Sequence, residues 1–431
     1  MDSLWQNVKL PTFSKLRGDR NADVLVIGGG MAGLLCAYLL TQAGVETVLV
    51  EENRICGGIT KDTTAKITSQ HGLIYHKLLH DMGAERARMY LQANEAALEQ
   101  YRQICKELPC HFETKSNYVY NLQDPAAIER ELQAVRRLGF PADFREELPL
   151  PFSIAGAVKF RRQAQFHPLE FAAGIARGLT IFERTCVRSL HGTTAITDTG
   201  RIRAKHVIVA THFPFWNRHG SYYLKLYQQR SYVLALKDGP DLNGMYVCGE
   251  EGGFSFRNAG EYLLLGGNNH RTGKKSSGWK PLEALASSCY PNAIPSLRWA
   301  TQDCISLDGV PYIGRYSAAT PHVYAATGFN KWGMSSAMVS AMLLKDRILG
   351  QENPYAPVFD PSRSMIKPQL AVNAGHAVGN LLRPTAPRCP HMGCALKWNP
   401  QERSWDCSCH GSRFDEHGKK LTNPANKDLQ P

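Results

Sequence analysis

The chain has 431 residues, enough for two or three domains with sizeable cores, and its 43% hydrophobic and 20% charged content are globular values. A formal charge of +12 suits an acidic protein partner or an anionic small molecule, but the basic residues fall in scattered pairs such as Arg136-Arg137, Arg161-Arg162 and Lys419-Lys420. No basic run with interleaved aromatics argues for nucleic acid. The N-terminus lacks an apolar core followed by a small-residue cleavage site, so the expectation is a cytoplasmic protein. Val24 to Leu40, the longest uncharged stretch, carries a glycine turn and is not read as a membrane span.

Residues 1–20 read as an extended arm. Asp23 to Glu51 then reads as strand, glycine turn, helix, strand: Val24 to Ile27 is apolar and β-branched, Gly28-x-Gly30-x-x-Gly33 follows at once, and Leu34 to Gln42 has helical periodicity. This is a dinucleotide site in outline. Gly28 permits the tight turn, Gly30 lets a pyrophosphate approach the backbone, and Gly33 lets helix and strand pack closely. The helix N-terminus offers free N–H groups to the phosphates, and Glu51 stands where it accepts hydrogen bonds from the adenosine ribose. The motif alone does not choose between FAD and NAD.

The loop GGITKDTTAKITSQHG follows the ribose site in sequence and is expected to run along the cofactor toward its reactive ring. Lys66 and His71 lie in it and are read as structural or solvated. Residues 77–107 read as helices. Cys105, Cys110 and His111 lack a fourth local ligand and are treated as structural. From Asn117 to Arg257 short β patterns dominate, interrupted by a helix at about Pro168 to Arg177 that His167 helps to start. His206 to Ala210, followed by Thr211-His212, reads as a second cofactor-contacting strand. Gly266 to Ser276 mimics a phosphate loop but fails its pattern, because Lys275 stands where Ser or Thr should hold magnesium.

Next come RWATQDCISLDGVPYIG (Arg298 to Gly314), a strand at His322 to Ala326, the turn TGFNKWG and a helix from about Ser335 to Leu349. The opening GGGMAG, Asp308 to Gly314 and the Ala326-Thr327-Gly328 turn together resemble the D-amino-acid-oxidase-like superfamily of FAD-dependent oxidoreductases, over roughly residues 20–350. The resemblance implies FAD in preference to NAD, with Gly328 at the cofactor and the closing helix pointing its N-terminus at the flavin. Lys331, in that turn, adds positive charge or is a solvated loop lysine. Amino-acid oxidases of this superfamily grip the substrate carboxylate with an arginine at the position of Asp303. A carboxylate there puts an ordinary amino-acid substrate in doubt unless Arg257 or Arg298 compensates. Lys331, Arg257 and Asp303 are the catalytic candidates, with no acid or base assigned.

The twelve cysteines are unevenly placed: eight lie singly between Cys36 and Cys304, and four crowd into the last 43 residues. Gln351 to Arg388 reads as a linker with one short helix. Beyond it, Cys389-x-His391, fifteen residues, and Cys407-x-x-His410 resemble the Rieske [2Fe-2S] domain, in which two thiolates hold one iron and two imidazoles the other. Zinc is the alternative. The Rieske resemblance implies Cys389, His391, Cys407 and His410 as ligands and places Cys394 and Cys409 where many such domains have a disulfide. It also sets Ser412 and Phe414 at the positions of two hydroxyl donors that raise the potential, one kept and one lost. The module is shorter than usual and is expected to lean on its cluster and on docking.

The fold expectation is an α/β Rossmann-like FAD domain (about 21–75, 150–215 and 300–350) with an inserted α+β substrate domain (about 76–149 and 216–299). A linker (351–388) and a small β-rich Rieske module (389–431) complete the chain. The function expected is an oxidoreductase passing electrons between a small substrate (amine, amino acid or hydroxy acid), FAD, the [2Fe-2S] cluster and an external one-electron carrier, an acidic redox protein being one option. The two modules are expected to bind their cofactors separately. The alternative is a non-catalytic electron-transfer or redox-sensing protein.

Overall fold

The glycine turn sits at the C-terminal edge of a parallel sheet. Arg20–Ile27 pairs in parallel with Thr47–Val50 on one side and Arg201–Val209 on the other, and the sheet extends to Thr180–Phe182 and Val323–Thr327. Tyr312–Arg315 closes one edge antiparallel. Buried on both faces, these strands read as continuous apolar runs, as parallel sheets require. The helices Met31–Gln42 and Gly333–Ile348 pack on each other against this sheet, each directing its N-terminus toward the strand ends. The computed structural model describes residues 3–384 and 387–429.

A second, nine-stranded and mostly antiparallel sheet carries Ile294–Ser306, Leu226–Lys237, Tyr262–Arg271, Ser255–Ala259, Met245–Cys248, Glu113–Asn121, Gly156–Gln165 and Lys66–Ile67 in that order, with Asp143–Arg145 alongside. Three of these strands cross the expected boundaries, Lys66–Ile67 by pairing with Gly156–Gln165. Gly156–Gln165 pairs with Glu113–Asn121, and Ile294–Ser306 pairs with Leu226–Lys237, so residues 156–165 and 294–306 join the larger sheet and not the nucleotide sheet. A β pattern reports a strand but not its partner. Residues 74–105 form one long helix interrupted at Gly83, whose φ of +80° is non-helical. His167 caps the helix Pro168–Ile175 by accepting from the Glu170 N–H at 3.3 Å.

The N-terminal segment is not a free arm. Trp5 is buried and donates from Nε1 to the Thr63 carbonyl at 2.7 Å, pinning the loop that follows the glycine turn. The linker holds two helices, Ala356–Phe359 and Pro368–Leu381. Beyond it a four-stranded sheet, Leu396–Asn399, Ser404–Cys407, Arg413–Asp415 and Lys420–Thr422, carries the C-terminal cysteines. Among the described residues, no helix is long and apolar enough to cross a membrane.

Candidate active site and metal centre

One cavity of about 860 Å³ runs from the glycine turn to the floor of the nine-stranded sheet. At one end Gly28 and Gly30 line it with Glu51. Gly28 has φ +109°, and a Cβ there would meet the Ala210 carbonyl oxygen at 2.6 Å. Gly33 is tighter, since its Cβ would sit 1.8 Å from the Gly28 oxygen. Gly30 differs: a Cβ there meets only Thr60 Oγ1, at 3.4 Å, and otherwise takes up cavity space. That is the space a pyrophosphate needs; Gly30 brings no side chain to cap the helix that follows, and of its first N–H groups Met31 N donates to Thr60 Oγ1 at 3.0 Å. The Glu51 carboxylate accepts from Gly29 N at 2.7 Å and Asn53 N at 2.9 Å, which fixes it at the end of its strand. Burial raises its carboxyl above the ordinary range, and those two bonds oppose the shift.

At the other end the cavity is lined by Lys66, His71, Asp303, Lys331, Trp332 and Gly333. Gly328 stands behind this wall, its φ of +71° turning the chain between strand and helix. The helix Gly333–Ile348 has no side-chain cap, so its first N–H groups and dipole face the cavity. His71 is fixed by Tyr90 Oη at 2.6 Å, by Ser335 Oγ at 2.9 Å and by stacking on Trp332, and burial drives its pKa down to about 3. It is neutral and structural. Burial, with Arg257 nearby, brings Lys66 down to about 7. Burial pushes Asp303 up to about 6 against the opposing charges of Lys331 and Arg230, and its carboxylate forms no hydrogen bond or ion pair among the described residues. Lys331 is depressed by the same burial, although its side chain is open to the cavity.

Arg257 and Arg298 do not compensate for Asp303. Arg257 lies outside the cavity wall and spends its donors on the carbonyls of Thr64 and Ala65, both at 2.8 Å, and of Asn258. Arg298 is on the surface, paired with Glu283 at 2.9 Å. Lys66, read from sequence as structural or solvated, lines the cavity. Its titration depends on burial and on a strand nearly two hundred residues away, which no local pattern reveals.

In the C-terminal module the two imidazoles meet Nδ1 to Nδ1 at 3.2 Å, with rings at 88°. The sulfur atoms of Cys394, Cys407 and Cys409 lie within 4.8 Å of one another, and Cys389 adjoins Cys407. All four are free thiols, so Cys394 and Cys409 are adjacent without being bonded. Hydrogen bonds from Cys389, Cys394 and Cys409 hold the Cys407 thiol well below its ordinary range. Ser412 Oγ reaches Cys389 and also accepts from Ala425 N at 3.0 Å, while Phe414 is buried beside them. Two buried cysteine sulfurs and two convergent imidazoles suit either a Rieske cluster or zinc.

The model of the family described as FAD dependent oxidoreductase matches residues 23–347, and that of the Rieske [2Fe-2S] domain matches residues 362–431. The chain belongs to the FAD-dependent oxidoreductase family, with a Rieske domain appended. It therefore takes FAD and a [2Fe-2S] cluster. It is 32% identical to the Rieske protein YhfW of Bacillus subtilis, over all of this chain and 97% of that one. It is 25% identical to the γ-glutamylputrescine oxidoreductase of Escherichia coli over 47% of this chain and 51% of that one. The fold matches glycine oxidase from Geobacillus kaustophilus with a TM-score of 0.65 at 18% identity, over 80% of this chain and all of that one.

The module docks on the strands around residues 226–237 and 294–306. Gln228 Nε2 donates to the His410 carbonyl at 2.7 Å, Gln302 Nε2 to the Gly411 carbonyl at 2.9 Å, and Arg271 Nε to the Ser408 carbonyl at 3.0 Å. Arg230 pairs with Glu402, which Arg413 also grips at 2.8 Å. Against the burial that opposes it, these two cations hold the Glu402 carboxyl down to about 2. The outer nitrogen of His391 meets the Asn217 amide at 2.7 Å, and that of His410 the Tyr223 carbonyl at 3.1 Å. Sequence reading missed Asn217, Tyr223, Gln228 and Gln302. Only Gln228 and Arg230 left a signal, as polar residues on the buried face of an otherwise apolar strand.

Proposed function

We propose that the protein oxidises a small cationic amine at the ring end of the cavity, with the flavin and Cys389/His391/Cys407/His410 sites in series toward an external one-electron carrier. The placement of residues 211–213 carries this reading. Thr211 and His212 line the cavity, and Phe213 packs against both imidazoles, with ring centroids 6.3 Å from His391 and 5.9 Å from His410. When bound, FAD accepts the two-electron equivalent from the substrate and the [2Fe-2S] cluster passes electrons singly.

The chain's own residues divide the remaining work. Gly28, Gly30 and the N-terminus of the helix that follows cradle the pyrophosphate, and Glu51 takes the ribose. The N-terminus at Gly333, with Lys331 beside it, favours negative charge at the ring end. Asp303 presents an unpaired carboxylate to a substrate ammonium, and Lys66, balanced near neutrality, takes the proton that leaves the free amine. The relative that acts on γ-glutamylputrescine, itself an amine, supports this substrate class. Pro390, Met392 and Gly393 are exposed beside Arg383 and Arg388, a cationic approach that suits an acidic redox protein. Eight cysteines outside the Rieske module, none in a disulfide, suit a cytoplasmic setting.

The test is anaerobic mixing of the loaded protein with amines, amino acids and hydroxy acids, following flavin absorbance and the cluster signal separately. Amines are expected to bleach the flavin first, with cluster reduction following. Equal response to hydroxy acids would remove the role given to Asp303, and flavin cycling with a permanently oxidised cluster would break the series.

A further inference from the structure

The last loop of the Rieske module forms part of the flavin cavity's wall. Lys420, Asn423 and Asn426 line the same cavity as Glu51, Glu52 and Cys186. The loop is tied to the nucleotide domain at three points. Lys420 Nζ pairs with Glu52 Oε1 at 2.5 Å, the Asn426 carbonyl accepts from Arg188 Nη1 at 3.3 Å, and Asn423 Nδ2 donates to the Thr211 carbonyl at 2.5 Å. Glu52 directly follows the ribose-binding position, and Arg188 belongs to a hairpin of the nucleotide sheet. The two modules therefore share a cavity wall, where the sequence led to the expectation that each binds its cofactor separately.

We propose that residues 419–428 are a strap across the adenosine half of the FAD site, so that the iron-sulfur module is a structural part of the flavin-binding site. The strap is held from the module side. Ala425 N donates to Ser412 Oγ at 3.0 Å, Lys420 N to Asp428 Oδ1 at 2.8 Å and Leu429 N to the Gly418 carbonyl at 2.9 Å. The module's own buried cluster is Cys389, Cys394, Leu396, Cys407, Cys409, Phe414 and Ala425, mostly the cysteines themselves. A core so dependent on thiols takes much of its stability from the metal they hold. Loss of the cluster loosens the strap, and by linkage each cofactor strengthens retention of the other.

This inference does not depend on substrate or on the direction of electron flow. It is tested in the full-length protein by the rate of FAD release, read as the rise in flavin fluorescence on dilution. Lys420→Glu sets two acids against each other at Glu52, and release is expected to quicken about tenfold, with the exchange Glu52→Lys/Lys420→Glu restoring most of the loss. Arg188→Ala cuts a tether from the flavoprotein side and is expected to act in the same direction. Iron content and the EPR signal of the reduced cluster show that the module remains folded in each variant. Chelating the iron from wild-type protein is expected to speed release as well. Wild-type release rates in Lys420→Glu and Arg188→Ala with iron retained, or unchanged release after iron removal, would overturn the proposal.

Discussion

The Asn217 amide lies 2.7 Å from Nε2 of His391, and so reaches across from the flavoprotein domain to the far side of an imidazole whose Nδ1 faces His410. If iron occupies the Nδ1 side, Nε2 carries the proton, and the Asn217 amide, whose Nδ2 faces it in the structure, turns to present its oxygen as the acceptor. A better acceptor there places more electron density on the imidazole and makes reduction harder. Asn217→Asp is expected to lower the cluster potential and Asn217→Leu to raise it, in an EPR-monitored redox titration. Equal potentials in both variants would show that the domain contact does not tune the centre.

The glycines of the turn separate folding from binding. Gly33→Ala drives a methyl into the Gly28 carbonyl and is expected to cost about 1–3 kcal/mol of stability along with the flavin. The Cβ of Gly30→Val meets nothing closer than Thr60 Oγ1 at 3.4 Å and the position borders the cavity, so its thermal unfolding with FAD withheld should match wild type while flavin content falls to near zero. Flavin absorbance per chain and calorimetric Tm together decide both outcomes.

What the sequence shows well is what is local. The Gly28-x-Gly30-x-x-Gly33 turn and the two Cys/His loops are legible because a backbone approach or a ligand set is written in consecutive residues. Arg257 shows the limit. An arginine beside a cavity-forming strand invites an anion-binding role, but its N–H groups are consumed by the carbonyls of Thr64 and Ala65 from a loop far away in sequence. Asn217 and Tyr223 have no signature at all, since their role exists only once the Rieske module docks. The strap at 419–428 is hidden for the same reason.

Ser412 and Phe414 give a paired test of the centre itself. Ser412 Oγ reaches the Cys389 sulfur, and the buried Phe414 ring offers no donor. Withdrawing charge from a ligand sulfur eases reduction. Ser412→Ala should therefore lower the potential and Phe414→Tyr raise it, measured by the same titration, with the visible spectrum showing the cluster intact.

Asp303 ties substrate choice to pH and to stability. Its carboxyl is pushed up to about 6 by burial, so below that pH it is protonated and no longer attracts an ammonium. Amine binding, read as perturbation of the flavin band, should weaken as pH falls through 6. Asp303→Asn should lose about tenfold in amine affinity at pH 7 and lose that pH dependence, as removal of one charge-assisted hydrogen bond predicts. Stability moves the other way. A carboxyl whose folded pKa lies above its unfolded value binds protons more tightly in the native state, so it destabilises the fold once pH rises from about 4 through 6. Asp303→Asn removes that cost and should raise Tm at pH 7 but not at pH 4. A variant that keeps its amine affinity would show that the ammonium is held elsewhere, and one that gains no Tm at pH 7 would show that the carboxylate is already satisfied in the native cavity.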